Sequence, residues 1–428
     1  MKSLFKMMML CLIVIMIFIP RQNANAEIIL DENDDTLTIS WDGKGKSNFN
    51  YSDMTMKYVK KVVIKEGITG IGESAFSGFD KMLSVEIPSS VTSIGNYAFP
   101  DCDSLTSIEI PNSVTSIGKH AFHDCDSLTS IKIPNSVTDM GEGVFYSCDS
   151  LANIEIPDSV TSIGKDTFFN CVSLTSIEIP NSITSIGDSA FLWCKGLTSI
   201  KIPNSVTNID EYAFMYCNSL ENIKIPSSVT RIKKCTFMGC SSLKAVTMSK
   251  TLINIENQAF QKCSSIKNIV IPNSVITIGE DAFEGCESLT DIKIPNSVTS
   301  IGEFAFAWCS NLKNATISKK IENITANVFC YCSSLKNVKI LKGVKNIGRG
   351  AFSGCKSITN IKIPSTIKSI GEGAFASCSN LKNIIIPTNV KNIGKDTFKG
   401  CKKLIIKGKK GSYAQKYAKK NKIKFIVV

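Results

Sequence analysis

The side chains with reactive chemistry are seventeen cysteines and two histidines, and their spacing decides what they can do. Fourteen cysteines recur every 23 residues, at 102, 125, 148, 171, 194, 217, 240, 263, 286, 309, 332, 355, 378 and 401. Cys235 and Cys330 fall off that column, and Cys11 lies near the start. In an exported chain such a count would ordinarily indicate a disulfide framework. Equivalent positions of stacked units, however, point their Cβ atoms in parallel about 4.8 Å apart, whereas a disulfide needs about 3.8 Å and converging vectors. The spacing therefore predicts a column of buried thiols acting as small hydrophobes. Cys235 and Cys330 are the better candidates for a bridge or redox role, with incidental thiols as the alternative. Metal ligation lacks a C-x-x-C pair, and Cys330-Tyr331-Cys332 is too short for one. His120 and His123 sit in one repeat, so most thiols have no candidate base. No catalytic residue, metal site or cofactor is assigned.

The element that positions these residues is the repeat itself. Phe occurs at 76, 99, 122, 145, 168, 191, 214, 237, 260, 283, 306, 329, 352, 375 and 398, fifteen times without an insertion or deletion. A fixed period of this size is the signature of a solenoid, in which each unit buries its apolar face only against its neighbours. Within Leu105–Pro111, Ile108 and Ile110 alternate with Ser107 and Glu109, which predicts a short strand ended by Pro111, a residue with no N–H to donate. Val114–Gly118 reads as a second extended piece, with Gly118 allowing a sharp turn. Ala121, Phe122 and Cys125 fall at i, i+1 and i+4, the spacing of about one helical turn. Stacking in parallel at about 4.8 Å per unit, the fifteen repeats would extend roughly 70 Å.

The pattern L-x-x-I-x-I-P-x-S-V-x-x-I-G-x-x-A-F-x-x-C-x-S closely resembles the BspA-like leucine-rich repeats of secreted and cell-surface proteins, over residues 65–404. The fold class implied is a leucine-rich-repeat solenoid, with a parallel β-sheet on one face and extended segments plus short helical turns on the other. The resemblance also extends to the ends, at Thr36–Ser40 and Gly411–Ala418. It implies a non-enzymatic adhesion or protein-binding role, toward an extracellular protein or glycan, and names no ligand.

Residues 1–26 read as a signal peptide, with Lys2 and Lys6, an apolar run from Met7 to Ile19, and Ala24-Asn25-Ala26 before a cleavage site at Glu27. A retained anchor is the weaker alternative, since the run is shorter than the roughly 20 residues a spanning helix needs. Residues 27–64 read as an N-terminal capping region with a strand at Thr36–Trp41 and a turn at Asp42-Gly43. Asp31–Asp35 partly matches a calcium loop but lacks its glycine, having Thr36 there. Residues 405–428 read as a basic cap, with Ser412 starting a helix from Tyr413 to about Lys420 and a final strand over Ile423–Val428.

The net charge of +12 is concentrated at the ends. Residues 1–26 carry +3, residues 391–428 net +12, and residues 27–390 net −3. A near-neutral array argues against a nucleic-acid groove, which needs a basic stripe. The tail cluster includes Lys402, Lys403, Lys409, Lys410, Lys419 and Lys420 and suits an anionic wall polymer or lipid, or simply a solvated end. Two further surfaces present themselves for a partner. One is the outward column of the strand, Glu86, Glu109, Lys132, Glu155, Glu178, Lys201, Lys224 and Lys293. The other comprises the aromatic pairs Trp193 with Tyr216 and Trp308 with Tyr331, which replace glycines found in that column at 78, 239, 285, 354 and 400. The other class of function, a targeting scaffold for an exported enzyme or toxin, has only short segments outside the array in which to place a catalytic domain.

Overall fold

The computed structural model describes residues 17–18, 26–31, 33–41 and 58–428. Most of the expected signal peptide, the turn expected at Asp42-Gly43 and residues 44–57 lie outside these. The chain divides into two compact units, residues 1–218 and 219–428, each a parallel-strand solenoid.

In the first unit, Ser107–Glu109, Ser130–Lys132, Asn153–Glu155, Ser176–Glu178 and Ser199–Lys201 stack as parallel strands, in register where their pairing is resolved. The central Ile of each is buried and both neighbours are exposed, the alternation that the β pattern demands. A second ladder of two-residue strands runs through Ser93–Ile94, Ser116–Ile117 and Asp139–Met140. Before the array, Ala26–Asp31 and Thr36–Trp41 form an antiparallel hairpin whose inner edge pairs in parallel with Lys61–Ile64. Leu37 and Ile39 are buried there, so the hairpin covers the first coil's apolar end. The acidic stretch makes this hairpin's turn: Asp31 accepts from Asn33 and Asp34 accepts from Thr36.

The second unit repeats the pattern with one variation. Where Pro stands in the column, strands such as Asp291–Lys293 and Asn360–Lys362 stop at three residues. Where Ser318 and Leu341 replace it, Asn314–Ile317 and Asn337–Ile340 continue for a fourth, although Ala245–Thr247, followed by Ser249, stops at three. The unit closes with a helix, Tyr413–Lys420, and a strand, Lys424–Val427, paired with Ile405–Gly408. Ser412 caps the helix by accepting from Gln415 N–H, and Gln415 Oε1 in turn accepts from Gly411 N–H at 2.7 Å.

The expected helical turn is not helical. Along the array the segment around the Phe donates alternate N–H groups to the next repeat, as Tyr97 does to Lys119 O, Phe99 to Ala121 O and Asp101 to His123 O, at 2.8–2.9 Å. Two residues per segment take left-handed φ, for example His120 at 53° and Asp124 at 54°, which no α-helix tolerates. Ala121, Phe122 and Cys125 are all fully buried, so the sequence signalled burial correctly but its geometry wrongly. The Phe rings stack into a column, 5.4 Å between Phe99 and Phe122 and 5.8 Å between Phe122 and Phe145.

Gly118 also has a different reason from the one expected. A Cβ there would lie 2.5 Å from the backbone of Gly95 and Asn96 in the preceding repeat. The glycine is required by close approach of two coils rather than by turn geometry.

Candidate functional site

The sheet's outward column is where the sequence placed a docking surface, and the first unit builds a groove on it. The strands fix Lys132 opposite Glu155, Glu155 opposite Glu178, and Glu178 opposite Lys201. These four exposed residues border a groove of about 880 Å³. Its other wall is Ile133-Pro134, Ile156-Pro157, Ile179-Pro180 and Pro203, and exposed Asn112, Asn135, Asp158 and Asn181 line its rim. Each Pro withholds an N–H, leaving an apolar wall beside a charged floor.

The charge order along the floor is plus, minus, minus, plus. Like charges directly opposite on neighbouring strands are destabilising, so the Glu155–Glu178 pair costs the sheet a little. Among the described residues neither these carboxylates nor the flanking lysines form an ion pair. Glu86, by contrast, is bound by Lys61 at 2.6 Å and belongs to the sheet beneath the hairpin, so it is not part of the groove. Glu109 pairs in register with Lys132 but does not line the groove.

In the second unit Lys224 and Lys293 lie on exposed strand positions opposite Thr247 and Thr316. There the neighbouring amides are already engaged: Asn337 donates to Asn314 at 2.7 Å, and Asn314 donates to Asp291. This ladder of side-chain amides ties the strands together and was not visible in the sequence.

The aromatic pairs pack against each other while Trp193, Trp308 and Tyr331 stay exposed to solvent. Trp308 and Tyr331 stack at 4.2 Å, and Tyr331 lies over Gly354, whose added Cβ would meet its ring. Trp193 and Tyr216 are 6.5 Å apart and tilted, the end of a longer series through Tyr146 and Phe169 that sequence reasoning missed. Trp193, Tyr216, Trp308 and Tyr331 all have φ near 60°, which explains why glycine alternates with them in this column. The Asp, Asn and Ser residues in the same column carried that signal.

The thiols are sealed from solvent. All sixteen described cysteines are free and buried, Cys235 and Cys330 included. Down the column the Sγ reaches the Phe carbonyl of the preceding repeat, as Cys148 does to Phe122 at 3.0 Å and Cys171 to Phe145 at 3.1 Å. Burial pushes thiols such as Cys171, Cys194 and Cys263 above their ordinary range, while the hydrogen bond with Cys102 pulls Cys125 below it and that with Cys378 does the same for Cys401. Cys235 contacts Gln258 Oε1 at 3.2 Å. A thiol kept protonated and sealed is a poor nucleophile.

One cluster with metal-type donors appears at the repeat edge. Asp101, His123 and Asp124 bring ligand atoms within 4.8 Å of one another. His123 Nδ1 already engages Asp124 Oδ2 at 3.1 Å, and Asp101 is exposed, so the geometry is that of a surface His–Asp pair. His120 stacks on Tyr97 at 4.9 Å, with its basicity lowered chiefly by burial.

Among the described residues no helix is long and apolar enough to cross a membrane. A leucine-rich repeat protein from Bacteroides ovatus is similar in structure, with 28% identity, a TM-score of 0.71, and coverage of 94% of this chain and 98% of that one. The pneumococcal vaccine antigen PcpA shares the fold at 19% identity and a TM-score of 0.50, over 96% of this chain and 98% of its own. No curated protein matches. The family profile for the BspA type leucine rich repeat region (6 copies) matches residues 48–175, 161–290, 253–359 and 276–405, and the chain belongs to that family.

Proposed function

We propose that the chain is an exported, surface-associated binding module that holds an extracellular protein in the groove between Lys132 and Lys201. The observation that carries this is the unpaired plus, minus, minus, plus floor beside an apolar Ile-Pro wall and an Asn-rich rim. Such a surface supplies what a polar interface requires: charge to orient a partner, amides to bond its backbone, and apolar area to exclude water. The second unit's corresponding amides are spent on each other, which favours the first unit. Export is supported by the basic and apolar start of the chain and the Ala24-Asn25-Ala26 triplet.

The test is binding of the mature chain to matrix proteins and to whole cells, comparing wild type with a variant carrying Lys132→Glu, Glu155→Lys, Glu178→Lys and Lys201→Glu. Loss of binding with an unchanged melting temperature is expected. Undiminished binding removes this groove from consideration.

A further inference from the structure

The C-terminal helix and the last full repeat enclose a second recess, of about 270 Å³, within the 219–428 unit. One water needs roughly 10–15 Å³ on this scale, so the recess admits a substantial group. Its wall combines Lys395, from the turn after Gly394, with Tyr413, Lys416 and Lys420 of the helix. Positions 413, 416 and 420 share one helix face, since residues three and four apart are neighbours. Ala414, Tyr417 and Ala418 anchor the helix by being buried.

The three lysines are exposed and, among the described residues, take no carboxylate partner. Asp396 is the sole acid of residues 391–428, and it lies 3.6 Å from Lys399. Three ammonium groups around one concavity repel each other, and an anion with several oxygens relieves that repulsion. Lysine is a common phosphate ligand as a point charge, and the Tyr413 hydroxyl can donate beside it. A lone carboxylate would leave the remaining tail lysines without a role, whereas a phosphate-bearing polymer or surface presents further charges to them.

We propose that Lys395, Lys416, Lys420 and Tyr413 form a site for one phosphate group of a polyanionic, phosphate-bearing surface. The site is independent of the groove described above. Soluble polymer and lipid headgroup offer the same chemistry, and the assay separates them.

The full mature chain is titrated against linear polyphosphate, against phosphatidylglycerol vesicles, and against phosphatidylcholine vesicles as the uncharged control. The variant Lys395→Gln/Lys416→Gln/Lys420→Gln is compared with Lys402→Gln/Lys403→Gln/Lys409→Gln, which removes equal charge outside the recess. About a 100-fold loss is expected for the first variant, from roughly fivefold per lysine, and less than about tenfold for the second. Lys416→Arg/Lys420→Arg keeps the charge and should keep binding. Binding of polyphosphate alone assigns a soluble or wall polymer, and binding of vesicles alone assigns a lipid headgroup. Equal losses in the two glutamine variants, or no binding of either anionic probe at low salt, would overturn the site.

Discussion

The Sγ of Cys125 lies 3.1 Å from the carbonyl oxygen of Phe99, one repeat earlier, and the same contact recurs down the column. A small side chain that is apolar enough to bury and still donates weakly fits this position. In native protein, thiol reagents should therefore react with almost nothing, and denaturation should release sixteen thiols from the mature chain. A titre well below that under denaturing, non-reducing conditions would show bridges and refute the free column.

The thiols that burial raises, Cys171, Cys194 and Cys263 among them, should also make the fold sensitive to alkali. A raised folded pKa leaves its stabilisation intact below the unfolded value of about 8.5, and the stabilisation is lost as pH rises toward the folded value. There the unfolded chain alone releases its protons. The denaturation midpoint should fall between about pH 8 and about pH 10, and fall less in a Cys171→Ala/Cys194→Ala variant. An equal fall in both proteins would place the cause elsewhere.

Gly118→Ala and Gly78→Asn should behave oppositely. The first drives a methyl into the backbone of Gly95 and Asn96 and should cost about 3 kcal/mol or more. Gly78, at φ 74°, has nothing within 4 Å of an added Cβ, and Asn tolerates that conformation, so the cost should stay below about 1 kcal/mol. Urea midpoints measure both, and similar values for the two would contradict the close-approach account.

Glu155→Gln should change stability by no more than a few tenths of a kcal/mol, because it removes both the like charge facing Glu178 and the opposite charge facing Lys132. The same change should weaken partner binding at the groove. Binding lost while stability holds is the mark of a residue kept for function. A variant that is both less stable and fully active would count against the reading.

Tyr417→Ala should loosen the C-terminal end. Its ring meets Phe398 edge-on at 5.9 Å, standing where a next repeat would place another Phe. A cost of about 3 kcal/mol is expected, confined to the last coils, with hydrogen exchange faster at Ile405–Gly408. Uniform loosening across the second unit would show that the end is not a local cap.

Much of this architecture is legible in the sequence. Ile108 between Ser107 and Glu109 gives the strand, Pro111 its end, and Ser412 the start of the terminal helix, because each acts on the backbone within a few residues of itself. The Ala121, Phe122 and Cys125 spacing misleads, since burial at i, i+1 and i+4 is shared by a helix and by a ladder with two left-handed residues. Gly78 and Gly239, standing in one column with Asp124 and Asn170, held the correction. The groove's charge order was readable along the strand, but its depth depends on the Ile-Pro wall and became visible only with the coils stacked. The amide ladder from Asp291 to Asn337 depends on side-chain rotation between repeats, which no single repeat specifies.

The one-way ladder around the Phe column has a consequence for how such a chain changes length over generations. Because Tyr97, Phe99 and Asp101 give their N–H groups to the following repeat, and that repeat gives its own onward, every interior repeat offers the same acceptors behind and the same donors ahead. Duplicating or deleting one whole 23-residue unit therefore restores every bond at the new junction, while a partial one leaves buried donors orphaned. Copy number can drift without loss of fold, and what selection must hold fixed is the phase.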